Sequence, residues 1–196
     1  MLQELLSEHK IILGSQSPRR RNLLKGLDID FESCTIDADE SFDPNMDYHE
    51  VPEYLANKKS HDFGKELSKN EILITADTVV ILKDMILNKP QNRAEAIDML
   101  TLLSGEEHKV VTGVCIRSSD KTRLFQDQTR VRFHKLTTEE ICYYIDRYQP
   151  FDKAGSYGIQ EWIGYVAIKE MIGCFYNVMG LPLPKLYREL KNFIND

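Results

Sequence analysis

The hydrophobic positions of the chain follow two different spacings, and each spacing predicts one type of element. Continuous apolar runs predict buried strands at Ile11–Leu13 and Ile72–Leu82, and the β-branched residues of the second run are typical of a strand covered on both faces. Apolar residues at helical spacing predict a helix over Glu50–Leu67 and another over residues 183–194. The remaining predicted elements are a strand over Phe31–Ile36, a return strand over Met85–Leu87, a helix from Asn92 to Ser104, a hairpin of His108–Ser118 with Thr122–Phe133, and a helix over Thr137–Tyr148. No internal repeat, low-complexity segment or linker interrupts this series.

The stretch Ile11–Arg21 combines a strand, a tight turn and a helix start. Ser17 stands where an N-cap belongs, Pro18 where a first helical residue belongs, and Gly26 where a C-terminal cap belongs. Free backbone N–H groups and the positive end of the helix dipole meet at such a start. With two serine hydroxyls and three arginines beside it, the turn suits a phosphate chain. The other interpretation, an exposed and solvated arginine face, stays open on these residues alone.

Length and composition narrow the classes of protein. A chain of 196 residues suits one sizeable domain, or two lobes sharing a sheet. The net charge of −6 argues against a general nucleic-acid binder, although a small anionic ligand in a local basic pocket is compatible with it. No apolar run reaches the roughly 18 residues that cross a bilayer, and residues 1–10 are polar and unlike a signal peptide, so we expect a cytoplasmic protein with no membrane partner. The four widely spaced cysteines lack a C-x-x-C pair and predict neither a disulfide framework nor a zinc site.

Asp77 is the charged residue whose position most needs a reason, because it interrupts the most apolar stretch of the chain. A carboxylate in such a setting costs several kcal/mol unless it is paired, metal-bound or protonated. The acidic segment 37–44 could place a second carboxylate near a cation, or it could be a solvated loop. Of Lys58 and Lys59, midway along a predicted helix, one could reach inward, although exposure is the commoner outcome for lysine. Lys89 follows the return strand, where the sheet is expected to end.

The segment 153–160 is small and rich in glycine. Gly155 and Gly158 carry no side chain to block a ligand, so the segment suits close approach of the backbone. Two glycines are also typical of an ordinary turn. Gln160 carries both a donor and an acceptor, and this pair can match the edge of a pyrimidine. The alternative is that Gln160 only ties down its own loop.

In order along the chain, these features resemble the Maf family of nucleoside triphosphate pyrophosphatases. The resemblance extends from near residue 11 to near residue 187, and it rests on an ordered set of short motifs rather than on one of them. The matching stretches are Ser15–Arg20, Asp39–Ser41, Ala76–Val80, Lys89–Pro90, Ser104–Gly105, His108, Thr112–Val114, Asp152–Gly155, Tyr157–Gln160 and Asn177–Leu183. Two positions depart from the family pattern, since Glu161 stands where glycine is common and Cys174 where serine is common.

The resemblance implies a mixed α/β fold, with a curved central sheet, helices and two lobes around a cleft, similar to inosine-triphosphatase-like proteins. It implies one domain over residues 1–196, and usually a homodimer. The implied reaction hydrolyses a nucleoside triphosphate to the monophosphate and pyrophosphate with a divalent cation, Mg²⁺ or Mn²⁺. Housecleaning of non-standard nucleotides is a possible cellular purpose of such a reaction.

Carried over to this chain, the resemblance assigns roles to nine residues. The expected catalytic residues are Asp77, Lys59 and Lys89, the substrate-binding or specificity residues are Ser15, Arg19, Arg20, Thr78 and Gln160, and the metal ligands are Glu40 and Asp77. Phosphoryl chemistry needs neutralised phosphate oxygens and a water placed in line, and cations and carboxylates can supply these. Whether Asp77 is base, metal ligand or both stays open.

Within the family, the residue types at three positions resemble those of the branch that hydrolyses dTTP and UTP. These are Arg19, Thr78 and Gln160. The ranking among dTTP, UTP, CTP and modified nucleotides is not predicted. The alternative function is a nucleotide-sensing or partner-binding protein in cell-division control that has no significant turnover. A nucleic-acid-binding module conflicts with the acidic charge and the lack of an aromatic-basic surface pattern.

Overall fold

A mixed sheet of seven strands organises the computed structural model, which describes residues 1–196. The strands are β1 (Lys10–Gly14), β2 (Phe31–Cys34), β3 (Glu71–Leu82), β4 (Met85–Leu87), β5 (Glu107–Arg117), β6 (Thr122–Phe133) and β7 (Ile168–Ile172). Their order is β2-β1-β3-β5-β6-β7, and β4 pairs with β3 outside this path. The β1 strand is parallel to β2 and β3, whereas the β3–β4 and β6–β7 pairs are antiparallel. The prediction of a mixed α/β fold is confirmed.

Eight helices and one 3₁₀ turn complete the chain. The helices are α1 (Leu2–Leu5), α2 (Pro18–Lys25), α3 (Val51–His61), α4 (Arg93–Leu103), α5 (Thr138–Tyr148), α6 (Trp162–Ala167), α7 (Phe175–Val178) and α8 (Leu183–Asn195). The 3₁₀ turn covers Ala154–Ser156. None of the helices is both long and apolar enough to span a membrane.

The predicted strands and helices are present, with changes at their ends. The predicted helix over Glu50–Leu67 is wrong beyond His61, because the chain turns at Gly64, whose φ of +72° is left-handed and favours glycine. The strand that we expected to reach Ile36 ends at Cys34. The prediction that β3 is covered on both faces is confirmed, since its residues from Ile72 to Leu82 are buried apart from a half-buried Thr78.

The chain divides into two compact units. The first consists of residues 1–77, 112–127 and 180–196, and the second of residues 78–111 and 128–179. The β3, β5 and β6 strands each contribute residues to both units. Assignment of residues 1–196 to one domain stays a prediction.

In the first unit, strand register places the turn after β1 near the middle of β3. Gly14, the last residue of β1, pairs with Thr75, and Asp77 follows two residues later on β3. A Cβ on Gly14 would lie 2.4 Å from Cδ1 of Ile36, so a larger residue would push this side chain aside where the chain leaves the strand. Since ligands commonly bind beyond the carboxyl ends of parallel strands, this register brings Asp77 to the expected binding edge.

The second unit has its own apolar core. Its fully buried side chains include Leu100 and Leu103 of α4, Phe133 of β6, and Tyr144 and Ile145 of α5. At the start of α5, Thr137 and Glu140 form the predicted capping box. This core supports the ends of β3 and β4 and the 153–160 segment that follows α5.

Candidate active site

The turn after β1 closes through two serine hydroxyls. The buried Ser15 accepts a hydrogen bond from the Ser17 amide at its Oγ, with 3.2 Å between the two atoms. Ser17 is the N-cap that the sequence predicted, because its Oγ accepts from the Arg20 amide at 3.4 Å, and Pro18 is the first helical residue. The predicted cap at Gly26 is also in place, although its φ of −68° is right-handed. The helix start is therefore built as the sequence indicated.

Arg20 is not part of a freely solvated face. Its Nε donates to the carbonyl oxygen of Gly180 at 2.7 Å, within the same unit. Burial lowers the pKa of Arg20, while the charges of Asp77 and Glu40 act in the opposite direction and that of Arg19 adds to the lowering. The interpretation of the arginines as an exposed face is thus wrong for Arg20, which is half-buried among the charged groups of the site.

Lys59 joins two carboxylates at the end of a helix. Its Nζ lies 2.5 Å from Oδ1 of Asp77 and 2.8 Å from Oε1 of Glu40. The Lys59 and Asp77 side chains are only 14% and 12% exposed, whereas that of Glu40 is 49% exposed. The interior position of Asp77 is therefore compensated by an ion pair, which a buried carboxylate requires.

Three contacts fix the position of α3, which carries Lys59. The buried Thr75 hydroxyl of β3 donates to the carbonyl oxygen of Ala56 at 2.6 Å. Arg117 of β5 donates to both the hydroxyl and the carbonyl oxygen of Ser60, at 2.7 and 2.5 Å. A Cβ on Gly113 of β5 would lie 2.3 Å from backbone atoms of α3, so the strand and the helix touch directly there. These contacts determine which lysine of α3 reaches Asp77.

Lys58, the neighbouring lysine, pairs with a different carboxylate. Its Nζ lies 2.8 Å from Oδ2 of Asp39, an oxygen that also accepts from the Ser41 hydroxyl, while Oδ1 of Asp39 accepts from the Ser41 amide. The Lys58 ammonium and the Ser41 donors hold the pKa of Asp39 well below its usual range. The acidic loop is therefore tied to α3 by two consecutive ion pairs, through Asp39 and through Glu40.

The second unit holds the other predicted site residues. Thr78 follows Asp77 on β3 and is half-buried, and Lys89 is exposed just after β4. The carbonyl oxygen of Asn88 accepts from the amide of Gly155 at 3.2 Å, so the 3₁₀ turn is attached beside Lys89. Gly155 has a φ of +66°, and a Cβ there would lie 3.0 Å from the Val80 side chain. Both its backbone conformation and its packing favour glycine at this position.

Gln160 lies in a polar cluster that the sequence did not reveal. Its Nε2 is 3.5 Å from Oε1 of Glu161, and the same carboxylate oxygen is 3.2 Å from Nζ of the buried Lys153. The other Glu161 oxygen accepts from the Tyr144 hydroxyl, which itself accepts from the Gly158 amide at 3.0 Å. Oε1 of Gln160 is buried and has no hydrogen-bond partner. Burial, and then the Glu161 carboxylate, raise the pKa of Tyr144, which keeps its hydroxyl protonated.

The predicted site residues of the first unit are Ser15, Arg19, Arg20, Glu40, Lys59 and Asp77. Ion pairs join Lys59 to Glu40 and Asp77, and the charges of Asp77, Arg19 and Glu40 act on Arg20, whereas Ser15 bonds to Ser17 at the turn. The roles assigned to them, and to Thr78, Lys89 and Gln160 in the second unit, stay predictions. Sequence reasoning did not assign Lys153, Glu161 or Tyr144 to the site. Signals existed for two of them, since Lys153 lies in a stretch that matches the family pattern and Glu161 stands where that pattern commonly has glycine, but neither signal indicates a buried ammonium paired with a carboxylate.

The candidate site has two carboxylates, Glu40 and Asp77, which are too few to coordinate a metal ion without other ligands. No group of three or more His, Cys, Asp or Glu side chains arranged to hold a metal occurs in residues 1–196. Mg²⁺ is commonly bound by one or two carboxylates, with substrate phosphates and waters as the remaining ligands. Glu40 and Asp77, which converge on one ammonium nitrogen, fit that pattern of binding.

A solved structure with a similar fold is that of the Ham1 protein of Staphylococcus aureus. It superposes with a TM-score of 0.54 over 93% of this chain and 98% of that one, at 14% identity. The likeness confirms the expected type of fold.

Sequence relatives match nearly the whole chain. Proteins named dTTP/UTP pyrophosphatase are 53% identical in Parabacteroides distasonis, over 97% of this chain and 99% of theirs, and 54% identical in Porphyromonas gingivalis W83, over 96% of both. A third, from Christiangramia forsetii, is 44% identical over the full length of both chains. The profile of the family described as Maf-like protein matches residues 10–193, and the chain therefore belongs to this family.

Proposed function

We propose that this protein hydrolyses dTTP and UTP to the nucleoside monophosphate and pyrophosphate. The observation that carries the proposal is the buried Asp77 carboxylate, which lies beyond the end of β1 with Lys59 and Glu40 beside it. An exposed ion pair would need no function, but a carboxylate inside an apolar strand is costly. The names of the relatives, which match nearly the full length of the chain, support the same reaction.

The helix start of α2 supplies a place for the phosphate chain. The positive end of the α2 dipole favours an anion, and the Ser15 hydroxyl lies at the same turn. Arg19, Arg20 and Lys59 add positive charge within the first unit, and Lys89 adds it within the second. Because the phosphate oxygens carry most of the negative charge of the substrate, these cations would neutralise it as the bond breaks.

In the reaction that we propose, a water molecule attacks the α-phosphorus. The bond between this phosphorus and the oxygen bridging to the β-phosphate breaks, and pyrophosphate leaves with the electron pair. The proton of the water passes to the Asp77 carboxylate, which acts as general base. Lys59 holds this carboxylate in one orientation through the 2.5 Å contact.

A divalent cation fits the oxygen ligands at the site. Glu40 and Asp77 would hold Mg²⁺ or Mn²⁺, hard cations that prefer carboxylate and phosphate oxygens. When bound, such an ion neutralises charge on the phosphate oxygens and lowers the pKa of a water ligand. Lys59 already places one positive charge between the two carboxylates, which indicates that their arrangement suits a cation.

Gln160 is the residue that we propose reads the base. Its unpaired, buried Oε1 offers an acceptor, and the imide N–H of uracil or thymine is a matching donor. A buried polar group that gains its partner only from the correct base penalises every other base. Thr78 and Arg19 are proposed to assist substrate binding.

Turnover separates this proposal from the alternative, a nucleotide sensor in cell-division control, which the names of the relatives do not favour. The homodimer, the cytoplasmic location and the lack of a nucleic-acid partner stay predictions.

The test is pyrophosphate release from dTTP, UTP, CTP, ATP and GTP by the purified protein, each with and without Mg²⁺ or Mn²⁺. We expect release from dTTP and UTP that depends on the metal. In ¹⁸O-labelled water, the label should enter the monophosphate. Label in orthophosphate would show stepwise removal of terminal phosphates, and the absence of turnover with every nucleotide would refute the proposal.

A pair of variants tests the assignment of the base. Asp77→Asn should lower kcat by about two to four orders of magnitude, because it removes a base and a metal ligand together. The matched control is Asp39→Asn, which changes a carboxylate of the same loop as Glu40 that pairs with Lys58. This control should stay within about threefold of the wild type. If Asp77→Asn behaves like the control, Asp77 is not the catalytic carboxylate.

A further inference from the structure

The Gln160 side-chain amide has a hydrogen-bond donor and an acceptor, and these two atoms have different surroundings. Nε2, a donor, lies 3.5 Å from a Glu161 carboxylate oxygen, whereas Oε1, an acceptor, is buried without a partner. Turning the amide over would bring Oε1 against the carboxylate, and two oxygens with negative partial charge repel each other. The Glu161 charge therefore favours one orientation even across a long hydrogen bond.

Glu161 is itself held firmly. The Lys153 ammonium lies 3.2 Å from its Oε1, and the Tyr144 hydroxyl donates to its Oε2. Since Tyr144 also accepts from the Gly158 amide, it links the carboxylate to the backbone two residues before Gln160. A Cβ on Gly158 would lie 2.8 Å from both Gln160 Nε2 and Glu161 Cδ, so glycine is what allows these side chains to lie there.

We propose that Glu161 is a positioning residue that orients the Gln160 amide and thereby selects uracil and thymine over cytosine. The inference rests on the proposed function and deepens it. When a base contacts Oε1 in the proposed complex, uracil and thymine satisfy it through N3–H, whereas N3 of cytosine is an acceptor that would face another acceptor. One stranded acceptor of this kind is enough for a discrimination of about tenfold or more.

The test compares kcat/KM for UTP and CTP in the wild type, Glu161→Gln and Tyr144→Phe. Glu161→Gln keeps the size of the side chain but removes its charge, so the Gln160 amide can turn over, and the UTP:CTP ratio should fall by about tenfold. Tyr144→Phe removes the link to Gly158 and leaves the Glu161 charge beside Nε2. It should slow both substrates by a similar factor and leave the ratio unchanged. A Glu161→Gln protein that slows both substrates equally would show a purely structural role and overturn the inference.

A second measurement uses only the wild type, so that it does not depend on the folding of a variant. We expect UTP to exceed CTP in kcat/KM by about tenfold or more, and UTP methylated at N3 to lose the advantage of UTP. Equal rates for UTP and CTP would overturn the inference while the proposed function stands. A wild type that releases pyrophosphate from neither dTTP nor UTP would instead overturn the proposed function itself.

Discussion

The ion pair between Lys59 and Asp77 should respond very differently to the loss of each partner. In Asp77→Asn, Lys59 keeps Glu40 at 2.8 Å, and the asparagine oxygen can still accept its hydrogen bond. In Lys59→Met, the Asp77 carboxylate keeps its charge at 12% exposure and loses its ammonium, with a second carboxylate on the same side. Only the second change leaves a buried carboxylate without its ammonium partner.

The magnitudes follow from this geometry. Asp77→Asn replaces a charged hydrogen bond by a neutral one and should lower the free energy of unfolding by about 1–2 kcal/mol. Lys59→Met should lower it by about 3 kcal/mol or more, the usual cost of breaking a buried pair by removing one partner. The double variant should be more stable than Lys59→Met alone, because the second substitution removes the stranded charge.

Urea denaturation followed by far-UV circular dichroism measures the three differences. If Lys59→Met is as stable as Asp77→Asn, or if the double variant is the least stable protein, Asp77 does not depend on Lys59 and the reasoning is refuted.

Three further predictions concern other parts of the chain. His108 is buried, and burial lowers its pKa to about 3 from an ordinary 6.5, so its contribution to stability is complete above pH 6.5 and is lost as the pH falls toward 3. Between pH 6.5 and about pH 5, the free energy of unfolding of the wild type should fall by about 2 kcal/mol more than that of His108→Gln. If the free energies of the two proteins change with pH in parallel, the prediction is wrong. Gly113→Ala should lower the free energy of unfolding by about 2 kcal/mol, and it should lower activity because it displaces the helix that carries Lys59. The control Gly26→Ala, at a right-handed φ of −68°, should lower the free energy of unfolding by less than about 1 kcal/mol in the same urea denaturation experiment. Gln160→Leu should lower kcat/KM for dTTP and UTP by roughly tenfold and narrow the discrimination against purines, and a uniform slowing of all nucleotides would show that the base is read elsewhere.

The parts of the site that follow from local chemistry could be predicted from the sequence. The N-cap at Ser17 and the capping box at Thr137 are each specified within four residues, and both are present. Asp77 stands out because a carboxylate inside an apolar run is anomalous wherever the run lies in the fold. The end of α3 was harder, since a helical pattern alone does not show that the chain turns at Gly64.

Contacts between distant segments could not be predicted in this way. Tyr144 and Glu161 are separated by 17 residues, and Lys153 reaches Glu161 from a loop. Lysine and glutamate are mostly exposed in proteins, so no local pattern marks Lys153 or Glu161 as buried, whereas Tyr144 lies on the apolar face of its helix with Ile141 and Ile145. Only the packing of α5 against the segment that follows it reveals that they form one cluster around Gln160.

The choice between Lys58 and Lys59 shows how packing decides what the sequence leaves open. Consecutive helical residues point about 100° apart, so one of the two must face Asp77 less directly than the other. The rotation of α3 is fixed by the contact of its backbone with Gly113 and by the hydrogen bond from Thr75 to Ala56. Given that rotation, Lys59 faces β3 and Lys58 faces Asp39 on the loop. Together with Arg117, which holds Ser60, a glycine and a threonine thus select the lysine that pairs with Asp77, and none of the three touches the substrate in the reaction that we propose.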